Sequence, residues 1–235
     1  MGGRVRCRTL DYSLEKTMQP FVFPRWSNKL VHLAGAVLSV APLYVIGLVW
    51  YGASPRTLDV GYAPKQPVPY SHALHAGELG IDCRYCHQTV EKAATAAIPS
   101  TETCMNCHQR IHTRSPKLEP IRASAASGLP VQWTKVHDLP DYAYFNHSMH
   151  VDHGVGCASC HGRIDKMEVV AQHEPLSMGW CLDCHRAPEQ FLRPVDEVTN
   201  MAYEPPSGQT QLATGLELRR AHDINPPTDC STCHR

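Results

Sequence analysis

The chain has 235 residues, room for one or two domains, with 22 basic and 22 acidic side chains and no formal net charge. A balanced chain lacks the basic footprint of a nucleic-acid binder, which excludes that class. Aromatic residues make up only 7%, while there are 11 cysteines, so the interior must be filled by something other than large rings.

The charge is unevenly placed. Within residues 1–29, Arg4, Arg6, Arg8, Lys16, Arg25 and Lys29 face only Asp11 and Glu15, so this tail carries +4 and the remainder −4. No Asp, Glu, Lys or Arg occurs from Leu30 to Pro55. As a helix, the apolar part from Leu30 to Tyr51 spans about 33 Å, enough for a hydrocarbon core of about 30 Å. Lys29 and Arg56 close its ends, Trp26 and Trp50-Tyr51 suit the two interfaces, and Pro42 is tolerated in a membrane helix. A cleaved signal peptide competes with this reading. The long preceding tail, a run longer than the usual h-region of about 7–15 residues, and the lack of an Ala-x-Ala site favour a retained anchor. The expected layout is a cytoplasmic tail over 1–28, a transmembrane anchor over 29–52 in membrane lipid, and a periplasmic domain over 53–235. Cys7 is then a plain thiol in a reducing compartment, and His32 an interface residue.

The other ten cysteines fall into five copies of Cys-x-x-Cys-His. They are Cys83 and Cys86 with His87, Cys104 and Cys107 with His108, and Cys157 and Cys160 with His161. Cys181 and Cys184 with His185, and Cys230 and Cys233 with His234, complete the set. This is the attachment pattern of c-type haem. Two cysteines three apart share one face of a helical turn and reach both vinyl groups of one porphyrin. The following histidine, His87, His108, His161, His185 or His234, is then the proximal iron ligand. Zinc ribbons use such pairs in twos, and five is odd. Disulfides suit an oxidising compartment but leave the five histidines unexplained. Five covalently bound c-type haems are therefore expected. With so little chain per haem, the macrocycles would form much of the core, and the 19 prolines fit long loops. The predicted fold is mainly α with extensive loops, carried on a single N-terminal transmembrane helix.

An internal repeat divides the domain. Tyr70-Ser71-His72-Ala73-Leu74-His75 matches Phe145-Asn146-His147-Ser148-Met149-His150, Gly80 to Cys83 matches Gly154 to Cys157, and Val90-Glu91-Lys92 matches Ile164-Asp165-Lys166. Two dihaem modules follow, about 68–112 and 143–187, with a fifth haem over about 222–235. The stretches 113–142 and 188–221 read as proline-containing linkers.

The aromatic-x-His-x-x-His element resembles the start of the small multihaem cytochromes of the c3 and c7 type. That resemblance makes His72 the distal ligand at the His87 haem and His147 the one at the His161 haem, with His75 and His150 each serving another haem. His222, upstream of Cys230, is the expected fifth. Histidines exceed irons, so His173, His112 and Met178 are rivals, and Met149 or Met201 could also replace a histidine, which would raise that haem's potential. His137 and His153 read as loop residues or propionate contacts.

From Gly61 to His108 the sequence resembles the pentahaem cytochrome c subunit of alternative complex III. The residues that carry this are Gly61-Tyr62-Ala63-Pro64, Pro69-Tyr70-Ser71-His72, His75 to His87, and Ile98 to His108. The resemblance implies an electron relay, not an enzyme by itself, in a menaquinol:electron-acceptor oxidoreductase of a respiratory or photosynthetic membrane. Its implied partners are an iron–sulfur subunit related to molybdopterin enzymes, polytopic quinol-binding membrane subunits and a monohaem cytochrome c. Two alternatives keep the electron-transfer role. One is a membrane-anchored quinol dehydrogenase of the kind that feeds periplasmic nitrite or nitrate reductases. The other is the multihaem subunit of a different menaquinol reductase complex. A terminal multihaem reductase would need a five-coordinate catalytic haem, which five regular motifs and surplus histidine do not favour. No nucleophile or proton-handling carboxylate pair is visible.

Overall fold

The computed structural model describes residues 22–52 and 59–234. The chain divides into two compact units at Trp50/Tyr51.

The first unit is one helix, α1 (Ser27–Gly52). It holds no charged residue beyond Lys29 and continues through Pro42. None of its side chains is buried; Leu38 is 74% and Trp50 82% exposed. A helix apolar on all sides has no use for water on any face, and this one is long and apolar enough to cross a membrane. Ser39 hides its hydroxyl by donating to the Gly35 carbonyl at 2.7 Å, as a polar side chain in such a helix must.

The second unit is a chain of short helices: α2 (Cys83–Cys86), α3 (Thr101–His108), α4 (Glu119–Ser127), α5 (His147–Asp152), α6 (Ala158–His161), α7 (Met178–Arg186), α8 (Gln211–Ala221) and α9 (Cys230–Cys233), with a π-helical turn at Ala73–Glu78. Among the described residues there is no β-strand, only the isolated bridges Ala143–His234 and Val155–Leu192. Helices of one or two turns do not persist alone, so caps and packing set them. Asp82 caps α2, Asn146 caps α5, Ser177 caps α7, Thr210 caps α8 and Asp229 caps α9.

The stretches expected as linkers are partly built in. Within 113–142, α4 buries Ile121 and Ser124, and Ser124 meets Thr101 of α3 hydroxyl to hydroxyl at 2.6 Å. Within 188–221, α8 packs on the turn Pro188–Gln190. Arg219 pairs with Glu189 at 2.9 Å, and Gly215 sits against the Glu189 carbonyl, where a Cβ would collide. The sequence reading missed these helices because neither presents a long apolar stripe.

The apolar core is thin. Among the described residues only Val68, Ile121, Val151, Leu192, Val198 and Ile224 are buried apolar side chains outside small residues and proline. That is little for a unit running from Tyr51 to Arg235, because apolar burial is the main term that offsets the entropy of ordering a chain.

Candidate haem sites

Each cysteine pair lies on a helical turn: Cys83 and Cys86 on α2, Cys104 and Cys107 on α3, Cys157 and Cys160 at the start of α6, Cys181 and Cys184 on α7, and Cys230 and Cys233 on α9. All ten of these thiols are free of disulfides. The histidine that closes each motif follows at the end of the same turn. The backbone N–H of His87 bonds back to Cys83 at 2.8 Å, that of His161 to Cys157 at 3.0 Å and that of His234 to Cys230 at 2.9 Å, while His108 and His185 lie within α3 and α7. The turn therefore holds two sulfurs and one imidazole in a fixed relation, which is what covalent haem attachment with one axial ligand needs. Burial pushes the Cys160 thiol up to about 12 and the Cys184 thiol up to about 11, with neighbouring thiols adding to both, so these sulfurs sit in apolar surroundings. Among the described residues no three His, Cys, Asp or Glu side chains converge to hold a metal ion by themselves.

Nδ1 of four of the motif histidines faces a backbone carbonyl: His87 to Ala97 at 2.9 Å, His108 to Ile111 at 3.3 Å, His185 to Pro227 at 2.6 Å and His234 to Tyr142 at 3.1 Å. Donation of Nδ1–H to a carbonyl fixes the tautomer that leaves Nε2 free for a metal. His75, His147 and His150 are tethered in the same way, to Ser71, Ala94 and Asn146, each at 2.8 Å. His161 is the exception, its buried Nδ1 having no partner, and His72 shares that state.

Ring separations test the fit to iron. Two imidazoles on opposite sides of one metal, each bonded at about 2 Å, place their ring centres roughly 6 Å apart. His75 and His108 have centroids 6.3 Å apart, and His150 and His185 6.1 Å. His108 also has His112 at 6.4 Å, but His112 is exposed with φ at 55° while His75 is half-buried and tethered. His72, His87, His147 and His161 gather in one region. Burial holds His72 down to about 4, with His87 and then His75 adding to it, and burial pushes His161 down to about 3, with His137, His147, His87 and His72 adding. Neutral imidazoles are the ones that ligate metals. The geometry of tethered, half-buried, paired imidazoles beside paired thiols fits c-type haem.

The remaining expected residues are scattered. His222 is exposed and lines a cavity of about 200 Å³ with Asp152, His153, Arg193, Val195, Leu218 and Ile224. The ring in contact with His234 is that of Tyr142, at 5.9 Å. His173 stands over Gly162 and reaches Glu174 at 3.6 Å, while Met178 and Met149 are 65% and 54% exposed. His137 lies against His161 at 4.5 Å with its Nε2 buried and unpartnered. That separation is too short for an iron between the two rings, so His137 supports the side of the His161 ring. Sequence reasoning missed His137 as a neighbour of a motif histidine, and also the carbonyls of Ala94, Ala97, Tyr142 and Pro227. A backbone carbonyl carries no residue-type signal.

Residues 143–235 match the family model of cytochrome c7 and related cytochrome c. Over 130 residues, 52% of this chain, the sequence is 35% identical to the multihaem cytochrome c subunit of menaquinone reductase from Nitratidesulfovibrio vulgaris. The match covers 58% of that relative's own length. Mainly helical and loop-rich, with five Cys-x-x-Cys-His turns, a cytochrome c7-like region over 143–235 and one apolar N-terminal helix, the chain has the fold class of a multihaem cytochrome c.

Proposed function

We propose that this chain is the membrane-anchored, pentahaem electron-transfer subunit of a menaquinone-linked oxidoreductase complex. The observation that carries the reading is the similarity to a menaquinone reductase multihaem subunit, joined to five haem-attachment turns on this one chain. It favours the second alternative above, a multihaem subunit of another menaquinol reductase complex, over alternative complex III. The resemblance of Gly61 to His108 keeps the latter as the second reading.

A bound c-type haem supplies a one-electron carrier. The chain's contribution would be to hold each one through cysteine sulfurs and to supply histidine ligands to its iron. The five cysteine pairs, from Cys83 and Cys86 to Cys230 and Cys233, are the covalent anchors. His87, His108, His161, His185 and His234 are the proximal ligands. The paired rings and tethers support His75 as distal ligand at the His108 site and His150 at the His185 site, and the buried cluster supports His72 and His147 at the His87 and His161 sites. His222 is assigned to the His234 site on its position upstream of Cys230 alone. Helix α1 serves as anchor, with the Arg-rich tail cytoplasmic and the haem domain periplasmic.

Co-purification tests this. Extraction from the native membrane in mild detergent should bring an iron–sulfur subunit of the molybdopterin-enzyme type and polytopic membrane subunits, identified by mass spectrometry. A monohaem cytochrome c in the same complex would instead establish alternative complex III. Recovery of the chain alone would overturn both.

A further inference from the structure

The two repeat units are packed against each other as near-copies. Ala73 N–H bonds the Met167 carbonyl at 3.0 Å, and Ser148 N–H bonds the Ala93 carbonyl at 3.3 Å. In the repeat, Ala73 corresponds to Ser148 and Ala93 to Met167. The two bonds are thus one contact made twice, with donor and acceptor exchanged between modules. Such reciprocity is the mark of an isologous, two-fold interface. In a two-fold arrangement only residues at the axis meet their own equivalents. Here the first and third motifs, which are repeat equivalents, meet on one short segment, Val198-Thr199. Around that axis, the Asp82 carboxylate accepts from the Thr199 hydroxyl at 3.0 Å, while the neighbouring Val198 carbonyl accepts from Cys157 N–H at 2.9 Å. The first and third attachment turns therefore abut.

Each flank repeats the other. On one side, Asn106 of the second motif donates to the Tyr85 hydroxyl of the first at 3.1 Å, and His75 faces His108. On the other side, His150 leads into the third motif and faces His185 of the fourth, their rings 6.1 Å apart. The fifth motif has no counterpart in the repeat. It joins beyond the fourth, where His185 is tethered to Pro227, three residues before Cys230. The second motif's other neighbour is α4, through Thr101 and Ser124. The motif cysteines that are exposed are Cys107 and Cys230, one at each end of this series.

We infer that the five attachment sites form one unbranched line in the order second, first, third, fourth, fifth, folded about a pseudo-two-fold axis between the first and third sites, with the second and fifth as its two open ends. The inference rests on the haem reading above. Haems held along the line would pass one electron per step between neighbouring sites, one being oxidised as the next is reduced, with no bond made or broken.

The test is to locate the irons in the full haem-loaded chain, within its complex, by anomalous scattering from crystals or by cryo-electron microscopy. The expected result is five irons whose four shortest separations are second–first, first–third, third–fourth and fourth–fifth. Five irons with any other pair among the four shortest would overturn the order while leaving the haem reading intact. Fewer than five irons at the motifs would overturn the haem reading and the order with it.

Discussion

The two repeat modules use the same ring geometry with different supports. Tyr70 stacks on His75 at 4.4 Å and stands edge-on to His72 at 4.8 Å, with interplanar angles of 22° and 85°. Phe145 lies over His150 at 4.5 Å and edge-on to His147 at 4.7 Å, with angles of 32° and 87°. One aromatic ring thus orients two histidines in each module. Around that shared unit the modules diverge. The first winds the segment as a π turn, while the second forms an α-helix capped by Asn146. His147 is tethered to Ala94 of the first module, whereas Nδ1 of His72 is buried without a partner. The second module is therefore held in part by the first. What the repeat preserves is ring placement, which the proposed metal chemistry needs. What it lets drift is helix type and capping, which many sequences can supply.

The largest expected effect comes from removing the paired imidazoles. His75→Ala and His150→Ala should each convert one haem in five from low-spin to high-spin, read by electron paramagnetic resonance of the full chain. His112→Ala should leave the spectrum unchanged. A high-spin change in only one of the two variants would break the equivalence of the modules, and a low-spin spectrum in both would remove His75 and His150 as iron ligands.

A smaller effect separates two glycines that occupy one position of the repeat. Gly80 and Gly154 both have positive φ, 65° and 77°. An alanine there costs about 1–2 kcal/mol of backbone strain. At Gly80 the new Cβ meets open space, while at Gly154 it strikes the Arg193 carbonyl. Overpacking adds about 1–3 kcal/mol, so Gly154→Ala should lower the thermal midpoint of the full chain clearly more than Gly80→Ala. Equal losses would show that the second module yields at this contact as easily as the first.

The smallest effect is at the shared aromatic. Burial pushes the Tyr70 phenol well above its ordinary value, with Cys86, Cys104 and Cys83 adding to it. A neutral phenol in that setting acts chiefly as a ring, the role Phe145 plays. Tyr70→Phe should change stability by about 0.5 kcal/mol or less, measured by thermal unfolding. A much larger loss would show that the hydroxyl distinguishes the modules.

The sequence by itself determined the local units. Spacing within Cys-x-x-Cys-His acts over one helical turn, so the turns that carry all five motifs were legible without tertiary information. The aromatic-x-His-x-x-His elements were legible for the same reason, and so was the apolar run of α1, whose length alone answers to a bilayer. Only the tertiary structure decided which histidine faces which. His75 with His108 and His150 with His185 are separated by more than thirty residues, and no local pattern fixes such a pair. It also decided that His137 lies against His161 and that His222 lines a cavity with His153. The reciprocal bonds of Ala73 with Met167 and Ser148 with Ala93 run through the backbone, where side-chain identity carries no record of the partner. Short-range geometry is written in residue type and spacing, whereas the meeting of distant segments is settled by how the whole unit packs.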